Sequence, residues 1–539
     1  MTRLRKGSTL ALSTLLVAGL ALTGCSNNNN DSAGNSPGVS PSASPTATET
    51  AQPSASATPE TKALDPYEVV MVYPDAPQKD DAAVQGAIND YLKSTYPDLN
   101  MTVKLNPIDW GSWGDKTNLM MASGDKFDLF FTAGWLGFET QVNKGGLLPL
   151  DDLLAQYGPD IEAVEKDYHD AARRQGKIYG VHTHQELGNQ QGIAFNKELV
   201  DKYKFDLSVL KSGNLKDLEP MLKTIKENEP GVTPFVGPAW PLDAYFGSST
   251  LDEVTGGYGI DVNTDASNFT VTSKYDMPRF KELASLTRDW FQAGYINKDG
   301  TTQGLDIWQK FKAKKAFATM ADMEIVADSN IGEPKPMPSR SAQTGIDIIQ
   351  VPLNTDRLQT GKLTATMQTI SKTSEDPARA MMLLNLFYKD QKLLTLFNFG
   401  IEGTHYVLKD GQVALPDGKS QDSVGYYHDI MWQIGNQMLN YTRQGEDPNK
   451  YKNYESFNQL IAQKQSRLFG FVFDSAPVQN ELIAIDNVKK EFEDGIKSGQ
   501  MDPDKNLPKF IDKMKAAGSD KVIQEAQKQV DAWRAANGK

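Results

Sequence analysis

The apolar positions of this chain follow two periods, one typical of strands and one typical of helices. The stretch YEVVMVYP is a β-branched run closed by Pro74, which predicts a strand. The next segment places Val84, Ile88 and Leu92 at helical spacing, with Pro97 beyond its end. NMTVKLNPI and FDLFFTAG predict two further strands, with a helix over DKTNLMMASGD between them. Alternating strands and helices predict an α/β fold with a parallel sheet.

A second α/β pattern extends from QGIAFNKELVDKYKFD to TGIDIIQVPL. It contains a predicted helix over DMPRFKELASLTRDWFQAGYIN and a strand-like AFATM. The strand KLTATMQTIS and the helix DPARAMMLLNLFYKD then return to the first type of unit. We therefore expect two α/β lobes joined by more than one crossing segment. A single doubly wound sheet is the alternative, but a chain of 539 residues favours two lobes.

The last hundred or so residues are polar and amphipathic. In PVQNELIAIDNVKKEFEDGIKSG one helical face carries Val478, Leu482, Ile485, Val488, Phe492 and Ile496. Pro477 lies near the start of this segment and Gly499 near its end. NLPKFIDKMKAAG and SDKVIQEAQKQVDAWRAANG predict two further helices. We expect these helices to pack on the lobes and not to form a catalytic unit.

The N-terminus has the layout of a secretory leader. Basic residues precede an apolar run that ends near Leu20, shorter than the roughly 20 residues needed to span a bilayer. Leu22-Thr23-Gly24-Cys25 resembles the lipobox of bacterial lipoproteins, and this resemblance implies cleavage before Cys25 and lipid on its thiol. Cys25 is the only cysteine, so no disulfide can form within the chain, and a large core must supply the stability. The Asn/Ser/Pro/Thr-rich stretch that follows predicts a disordered spacer.

These patterns predict five parts. They are a signal peptide over 1–24, a lipid-bearing Cys25 and spacer over 25–62, a first lobe over 63–182 and 353–395, a second lobe over 183–352 and 396–465, and a C-terminal helical module over 466–539.

Charge and motifs narrow the function. The formal net charge is −13 and no basic stripe is visible, which argues against a nucleic-acid partner. No Walker loop, nucleophile elbow or zinc signature occurs, so we predict no cofactor and no resident metal. His182 and His184 could share one face of a strand, but a zinc site requires three or four converging ligands.

Several aromatic residues stand where a sugar could stack on them. Sugars offer apolar C–H faces and a rim of hydroxyls, so their binders combine aromatic rings with polar side chains. The aromatic candidates follow predicted strands or lie in loops beside Gly and Pro: Tyr73, Trp110, Trp113, Trp135, Trp240 and Trp432. Core packing is the alternative for each of them, and Trp290, Trp308 and Trp533 are assigned to the core.

The polar candidates lie in three short stretches: His184 and Glu186 in HTHQE, Asp322 and Glu324 in ADME, and Glu402, His405 and Tyr406 in IEGTHY. A carboxylate can accept hydrogen bonds from neighbouring hydroxyls, while Tyr and His can both stack and hydrogen-bond. A helix cap or a solvated surface carboxylate is the alternative for each acidic residue.

The order of several stretches resembles a known family. ASGDKFDLFFTAGW followed by QVNKGGLLPLDDLL resembles the first lobe of extracellular solute-binding proteins of ABC importers, the maltose-binding-like group. GKIYGVHTHQELGNQQGIAFNKELVDKYKF resembles the first crossing of that family, although Val181-His182 stands where a proline is common. The region from NFGIEGTHY to the final helices resembles the extra module of a large lipoprotein subgroup from Gram-positive bacteria.

The resemblance implies two α/β lobes of the type II periplasmic-binding-protein kind that close on a ligand like a hinge. It further implies a monomeric receptor, held by lipid on Cys25 at the extracellular face of the membrane. Such a receptor captures an oligosaccharide and delivers it to an ABC permease without performing chemistry.

Two other functions stay open at this stage. One is a peptide-binding receptor of the same architecture. The other is an extracellular glycoside-active enzyme, which needs two carboxylates about 5–9.5 Å apart. Asp322 with Glu324, or Glu402 with Glu186, are the pairs that could serve.

Overall fold

The computed structural model describes residues 64–237, 250–298, 307–326 and 330–538. The predicted leader, Cys25 and the spacer lie outside the described residues, as does Trp240. None of the described helices is both long and apolar enough to cross a bilayer.

The strands predicted at YEVVMVYP and NMTVKLNPI are found at those positions, whereas the predicted strand KLTATMQTIS shortens to Met367–Ile370 because Thr360–Leu363 forms a helix. In chain order they are β1 (Tyr67–Pro74), β2 (Met101–Ile108), β3 (Leu129–Thr132), β4 (Arg173–Arg174), β5 (Lys177–Ile178), β6 (Val181–His182), β7 (Gln190–Asn196), β8 (Thr233–Phe235), β9 (Leu251–Thr255), β10 (Tyr258–Asp261), β11 (Thr272–Ser273), β12 (Ala316–Asp322), β13 (Lys335–Pro336), β14 (Ile348–Thr355), β15 (Met367–Ile370), β16 (Val407–Lys409) and β17 (Gln412–Ala414).

The helices fill the segments between strands and the C-terminal region. They are α1 (Asp81–Thr95), α2 (Trp113–Ser123), α3 (Phe138–Asn143), α4 (Asp151–Tyr157), α5 (Pro159–Glu165), α6 (Lys197–Tyr203), α7 (Glu219–Asn228), α8 (Pro278–Ala293), α9 (Ile307–Lys312), α10 (Pro338–Thr344), α11 (Thr360–Leu363), α12 (Pro377–Leu386), α13 (Gln391–Phe399), α14 (Lys450–Ala462), α15 (Gln479–Lys497), α16 (Pro503–Ala516) and α17 (Ser519–Asn537).

The first lobe is built on a five-stranded sheet in the order β2-β1-β3-β15-β6. β1 pairs in parallel with β2 and β3, as predicted, whereas β15 runs antiparallel to both β3 and β6. Helices α1 and α12 contribute Ile88 and Leu384 to its core, which also contains Val69 and Phe130. The carboxyl ends of β1, β2 and β3 therefore share one edge of the sheet, where ligands of such sheets bind.

The second lobe has its own sheet, in the order β13-β14-β7-β12-β8. β7 lies in the middle, antiparallel to both β12 and β14, and its core contains Ile193, Phe317 and Trp290. Two separate sheets with separate cores confirm the two-lobe prediction and exclude a single doubly wound sheet.

The three C-terminal helices pack on the second lobe. Phe492 of α15 and Phe510 of α16 belong to the second core, and Phe510 meets Tyr275 edge to face with ring centroids 4.9 Å apart. The Tyr275 hydroxyl also donates to Glu493 of α15 at 2.9 Å. The helical faces read from the sequence are thus the faces that the lobe buries.

The segment predicted to complete the second lobe, 396–465, is divided differently. Phe397, Tyr426 and Ile430 are buried in the first core, with Tyr73 and Phe397 in edge-to-face contact at 5.2 Å. Further along, Phe457 and Ile461 join a small cluster with Leu187 and Leu358 at the crossing segments. Parts of 396–465 therefore belong to the first lobe and to the crossing segments, because they pack against residues far away in the chain. Periodicity does not reveal such contacts.

Gly192 of β7 is a position where the sheet leaves no room for a side chain. A Cβ there would lie 2.1 Å from the Val351 carbonyl oxygen and 2.8 Å from Pro352 Cα, both backbone atoms of β14. We expect Gly192→Ala to lower the free energy of unfolding by about 2 kcal/mol, because backbone must move to admit the methyl group. Thermal unfolding followed by circular dichroism measures this.

The matched control for that variant is Gly86→Ala. Gly86 is exposed inside α1, and a Cβ there would meet nothing within 4 Å. Because alanine favours helix over glycine, this variant should gain up to about 1 kcal/mol. Equal melting temperatures for the two variants would contradict the close approach at β7.

Candidate functional site

Three tryptophan side chains gather at the carboxyl edge of the first sheet. Each lies in a short 3₁₀ turn: Trp110 in Trp110–Ser112 after β2, Trp135 in Gly134–Leu136 after β3, and Trp432 in Met431–Gln433. We call these three residues the tryptophan platform. Trp110 and Trp135 each follow a strand of the first sheet, whereas Trp432 arrives from a distant segment.

The rings of the platform are nearly parallel. Trp110 lies 5.9 Å from Trp135 with an interplanar angle of 22°, and 6.1 Å from Trp432 with an angle of 14°. Rings in contact have planes about 3.5–4 Å apart, so these separations imply a sideways slip of roughly 4.5 Å. Trp110 is 43% exposed and Trp135 is 57% exposed, and they are the only exposed tryptophan or phenylalanine side chains among the described residues.

The polar atoms of two platform rings are bound to the protein. Trp135 Nε1 donates to the Ala365 carbonyl at 2.8 Å, and Trp432 Nε1 donates to the Asp429 carbonyl at 2.9 Å. Phe131 meets Trp432 edge to face at 5.4 Å. These contacts set the ring orientations, and the exposed parts of the indole rings suit stacking on the C–H face of a sugar.

A second feature, which we call the polar cavity, has a volume of about 450 Å³. It is lined by the first crossing segment, the end of β12, the start of α10, α11 and the segment leading into α14. Its polar lining residues are Glu186, Asn189, Asp322, Glu324, Ser339, Arg340, Lys362, Glu446, Asp447, Lys450 and Tyr454. The predicted site residues Glu186, Asp322 and Glu324 are therefore brought together here.

The charged groups of the cavity differ in how they are engaged. Glu324 accepts from the N–H groups of Ser339 at 2.9 Å and Arg340 at 2.8 Å, so it caps the start of α10. Lys362 donates to Asn189 at 3.0 Å and lies 4.0 Å from Glu186. The Glu324 carboxylate thus has the capping role that was the alternative for the acidic candidates.

The platform and the cavity adjoin the same segments of chain. Lys362 of α11 lines the cavity, and the carbonyls just after α11 accept from the Gly134 N–H and from Trp135 Nε1. At the first crossing, the His184 N–H donates to the Gly435 carbonyl at 3.0 Å, close to both Trp432 and Glu186. A ligand that lies along these segments can contact both features.

A buried carboxylate supports the first crossing from beneath. Glu165, at the end of α5, is fully buried, and its two oxygens accept from His182 Nδ1 at 3.0 Å and His184 Nδ1 at 2.6 Å. Burial alone would raise the pKa of Glu165, but the charge of His182 and the hydrogen bonds from both imidazoles outweigh it and lower that pKa. An ionised carboxylate only accepts hydrogen bonds, so both Nδ1 atoms are the donors.

His184 therefore differs from its predicted role as a ligand-binding residue. Its Nδ1 is bound to Glu165 and its side chain is only 16% exposed, because the crossing turns it towards α5. The hydrogen bonds of both imidazoles to Glu165 also give His182 and His184 a structural role that requires no metal. No cluster of three or more His, Cys, Asp or Glu placed to hold a metal ion occurs in the described part of the chain.

Two predicted aromatic candidates are in the core instead. Tyr73 is 2% exposed, and burial raises the pKa of its hydroxyl. Trp113 is 3% exposed and stacks on Phe130 at 5.4 Å, since it begins α2 and its ring lies against the sheet. Trp290 is buried as assigned, while Trp308 and Trp533 are half-buried against apolar clusters.

The IEGTHY candidates do not join the cavity or the platform. His405 accepts from the Ile401 N–H at 2.9 Å and lies 3.4 Å from Asp80, which anchors it to the loop after β1. Tyr406 is 3% exposed, and burial raises its pKa to about 12. Glu402 is exposed and shares a backbone bridge with Tyr406. These residues lie outside the polar cavity that contains Glu186, so the predicted pairing of Glu402 with Glu186 is not formed.

Several cavity residues were missed from the sequence. Asn189, Arg340, Lys362, Lys450 and Tyr454 carry no motif and are spread over much of the chain. For Asn189 the only local indication in the sequence is its place in GNQQG, a polar stretch within the predicted crossing segment. The others reach the cavity only because distant segments pack together.

Comparisons with known proteins agree with this architecture. Residues 75–392 match the family described as bacterial extracellular solute-binding protein, and residues 467–535 match a domain of unknown function. A carbohydrate ABC transporter substrate-binding protein of Streptococcus pneumoniae is 29% identical over 434 residues, which is 79% of this chain and 83% of the relative.

Solved structures show the same fold. The N-glycan transport solute-binding protein NgtS of Streptococcus pneumoniae superposes with a TM-score of 0.72 at 26% identity, over 87% of this chain and 99% of that chain. Its complex with Man5GlcNAc gives a TM-score of 0.61 at 25% identity, over 87% of this chain and 98% of that chain. An extracellular solute-binding protein of Bifidobacterium longum subsp. infantis has a TM-score of 0.60 at 16% identity, over 86% of this chain and 98% of that chain, a likeness of fold.

Proposed function

This chain belongs to the bacterial extracellular solute-binding proteins, and from that premise we propose that it is the carbohydrate receptor of an ABC importer. It captures an oligosaccharide at the tryptophan platform and the polar cavity and delivers it to the permease. Membership of a solute-binding family implies a binding role, and we propose further that the protein leaves its ligand chemically unchanged.

The observation that carries this proposal is the tryptophan platform. Exposing two large indole rings to water is unfavourable, whereas Trp113 of the same lobe is 3% exposed. Partly exposed indole rings and a cavity of carboxylates, amides and amines supply both halves of sugar recognition. The carbohydrate transporter relative and the NgtS complex with Man5GlcNAc support the same ligand class.

The two lobes supply a mechanism for capture. Each has its own sheet and core, and the segments that join them carry residues of the polar cavity. A ligand that contacts both lobes stabilises the closed arrangement by the difference in its affinity for the two arrangements. Closure then signals occupancy to the permease.

We propose that the mature receptor is a monomer held at the extracellular face of the membrane by lipid on Cys25. Two acyl chains are enough for stable anchoring, since each buried CH₂ contributes about 0.8 kcal/mol. Mass spectrometry of the protein purified from membranes checks the anchor, and Cys25→Ala should release the protein to the medium.

Calorimetric titration with Man5GlcNAc and a panel of basic and neutral peptides tests the ligand class. We expect saturable binding of the glycan, no binding of the peptides, and unaltered glycan when the same samples are analysed by mass spectrometry. Binding of peptides alone would replace this proposal with a peptide receptor, and a shortened glycan would replace it with a glycoside-active enzyme.

A further inference from the structure

The carboxylate of Asp322 stands out among the charged groups of the polar cavity. It is exposed at the end of β12, and it makes no hydrogen bond or ion pair with any described residue. Glu324, two positions on, caps α10, and Glu446 pairs with Lys450 at 2.9 Å. The Asp322 carboxylate is therefore available to a ligand.

The backbone around Asp322 is held firmly. Asp322 pairs with Gln191 across β12 and β7, the Met323 N–H donates to the Gln190 carbonyl at 2.7 Å, and the Glu324 N–H donates to the Gln350 side chain at 2.8 Å. A site residue at a strand end whose backbone is hydrogen-bonded to the neighbouring strand keeps its backbone position when a ligand arrives. The Asp322 Cα is therefore fixed, and the carboxylate stays within the reach of one short side chain of that point.

The basic groups of the cavity are already engaged. Lys362 is held by Asn189 and Glu186, Lys450 by Glu446, and Arg340 donates to Gln343 at 2.6 Å while its guanidinium lies 4.8 Å from the Trp308 ring centroid. An incoming anion would have to break one of these contacts to gain a partner. A hydroxyl needs no such exchange, because it can donate directly to Asp322.

We infer that Asp322 is a specificity-determining residue that makes the site select neutral oligosaccharides over oligosaccharides bearing carboxylates. This rests on the proposed function, whose ligand class it narrows. Like charges brought together in a partly closed site repel, while a hydroxyl hydrogen bond to a carboxylate is charge-assisted. Selectivity arises from the repulsive contact as much as from the attractive one.

The experiment compares Man5GlcNAc with the same glycan after selective oxidation of its free C6 hydroxyls to carboxylates. The two ligands have nearly the same size, so charge is the main difference between them. By calorimetry, the unmodified protein should bind the neutral glycan at least tenfold more tightly. Raising the salt concentration should narrow that ratio, since exposed charges are screened.

Asp322→Asn tests the assignment. In this variant the preference for the neutral glycan over the oxidised glycan should fall at least fivefold. Most of the change should come from tighter binding of the oxidised glycan, with some loss of affinity for the neutral one. The matched control is Glu402→Gln, which makes the same change in net charge at an exposed carboxylate that lies outside the polar cavity. Its ratio should equal that of the unmodified protein.

Each outcome decides a separate point. If neither glycan binds, the proposed carbohydrate function fails. If both bind equally to the unmodified protein, the inferred selectivity is wrong although the function stands. If selectivity is present but Asp322→Asn leaves it unchanged, or Glu402→Gln reduces it equally, Asp322 is not the residue that determines it.

Discussion

Trp110→Ala is expected to weaken binding of Man5GlcNAc at least thirtyfold while changing the melting temperature little. Trp110 is the platform ring that stacks with both of the others, Trp135 at 5.9 Å and Trp432 at 6.1 Å. Its removal takes away its own face and a stacking partner from both neighbours. A loss of about 2 kcal/mol is ordinary for an aromatic residue that anchors a ligand. Calorimetry and thermal unfolding on the same preparation measure both quantities.

Two further variants show whether that loss comes from stacking. Trp110→Phe keeps an aromatic face and should recover most of the affinity. Trp113→Ala, in the same turn region, should instead lower stability by about 3–5 kcal/mol, because it empties a buried site against Phe130. If Trp110→Ala binds the glycan as tightly as the unmodified protein, the platform is not the binding surface.

Glu165→Gln is expected to destabilise the protein by about 3 kcal/mol at pH 7, because it removes the buried charge that holds both His182 and His184. A neutral amide offers one acceptor where two imidazole N–H groups need one each. Glu162→Gln is the matched control on the same helix. Glu162 pairs with His169 at 3.1 Å but is 37% exposed, so its loss should cost less than about 1 kcal/mol.

The same pair of variants carries a pH dependence with a definite sign. The pKa of Glu165 is lowered from its ordinary value of 4.5, so the stability that its ionisation contributes is complete above 4.5 and is lost as the pH falls through the folded-state pKa. Glu165→Gln lacks this contribution. Its melting temperature should therefore fall less steeply as the pH drops below 4.5 than that of the unmodified protein. Parallel curves would show that Glu165 is not ionised in the folded protein.

The C-terminal helices illustrate what local pattern is able to reveal. Ile485, Phe492 and Ile496 recur at helical spacing, and all three are buried on one face of α15. Hydrophobic periodicity and the residues that start or end a helix depend only on nearby positions in the chain. They can therefore be recognised without knowledge of the rest of the fold. The strands of the first sheet were predicted for the same reason, whereas the antiparallel direction of β15 depends on how the chain returns from the second lobe.

Trp110 and Trp113 show where local pattern ends. Both lie in one Gly- and Ser-containing loop after β2, and composition treats them alike. Trp110 lies in the 3₁₀ turn with its ring exposed, while Trp113 begins α2 with its ring against Phe130. Two tryptophans only three positions apart thus differ, one exposed to solvent and one buried in the core. The path of the backbone through the loop decides which ring is buried.

The sequence by itself determined the α/β class, the two lobes, the helical C-terminus and the residue types that suit a sugar, because these follow from periodicity, turn residues and side-chain chemistry. Only the tertiary structure decided that Trp432 completes the platform, that Glu165 holds both histidines of the crossing, and that Lys362 and Lys450 share a cavity with Asp322. These contacts join residues far apart in the chain. Their free energy depends on three-dimensional distance and burial, which no local pattern encodes.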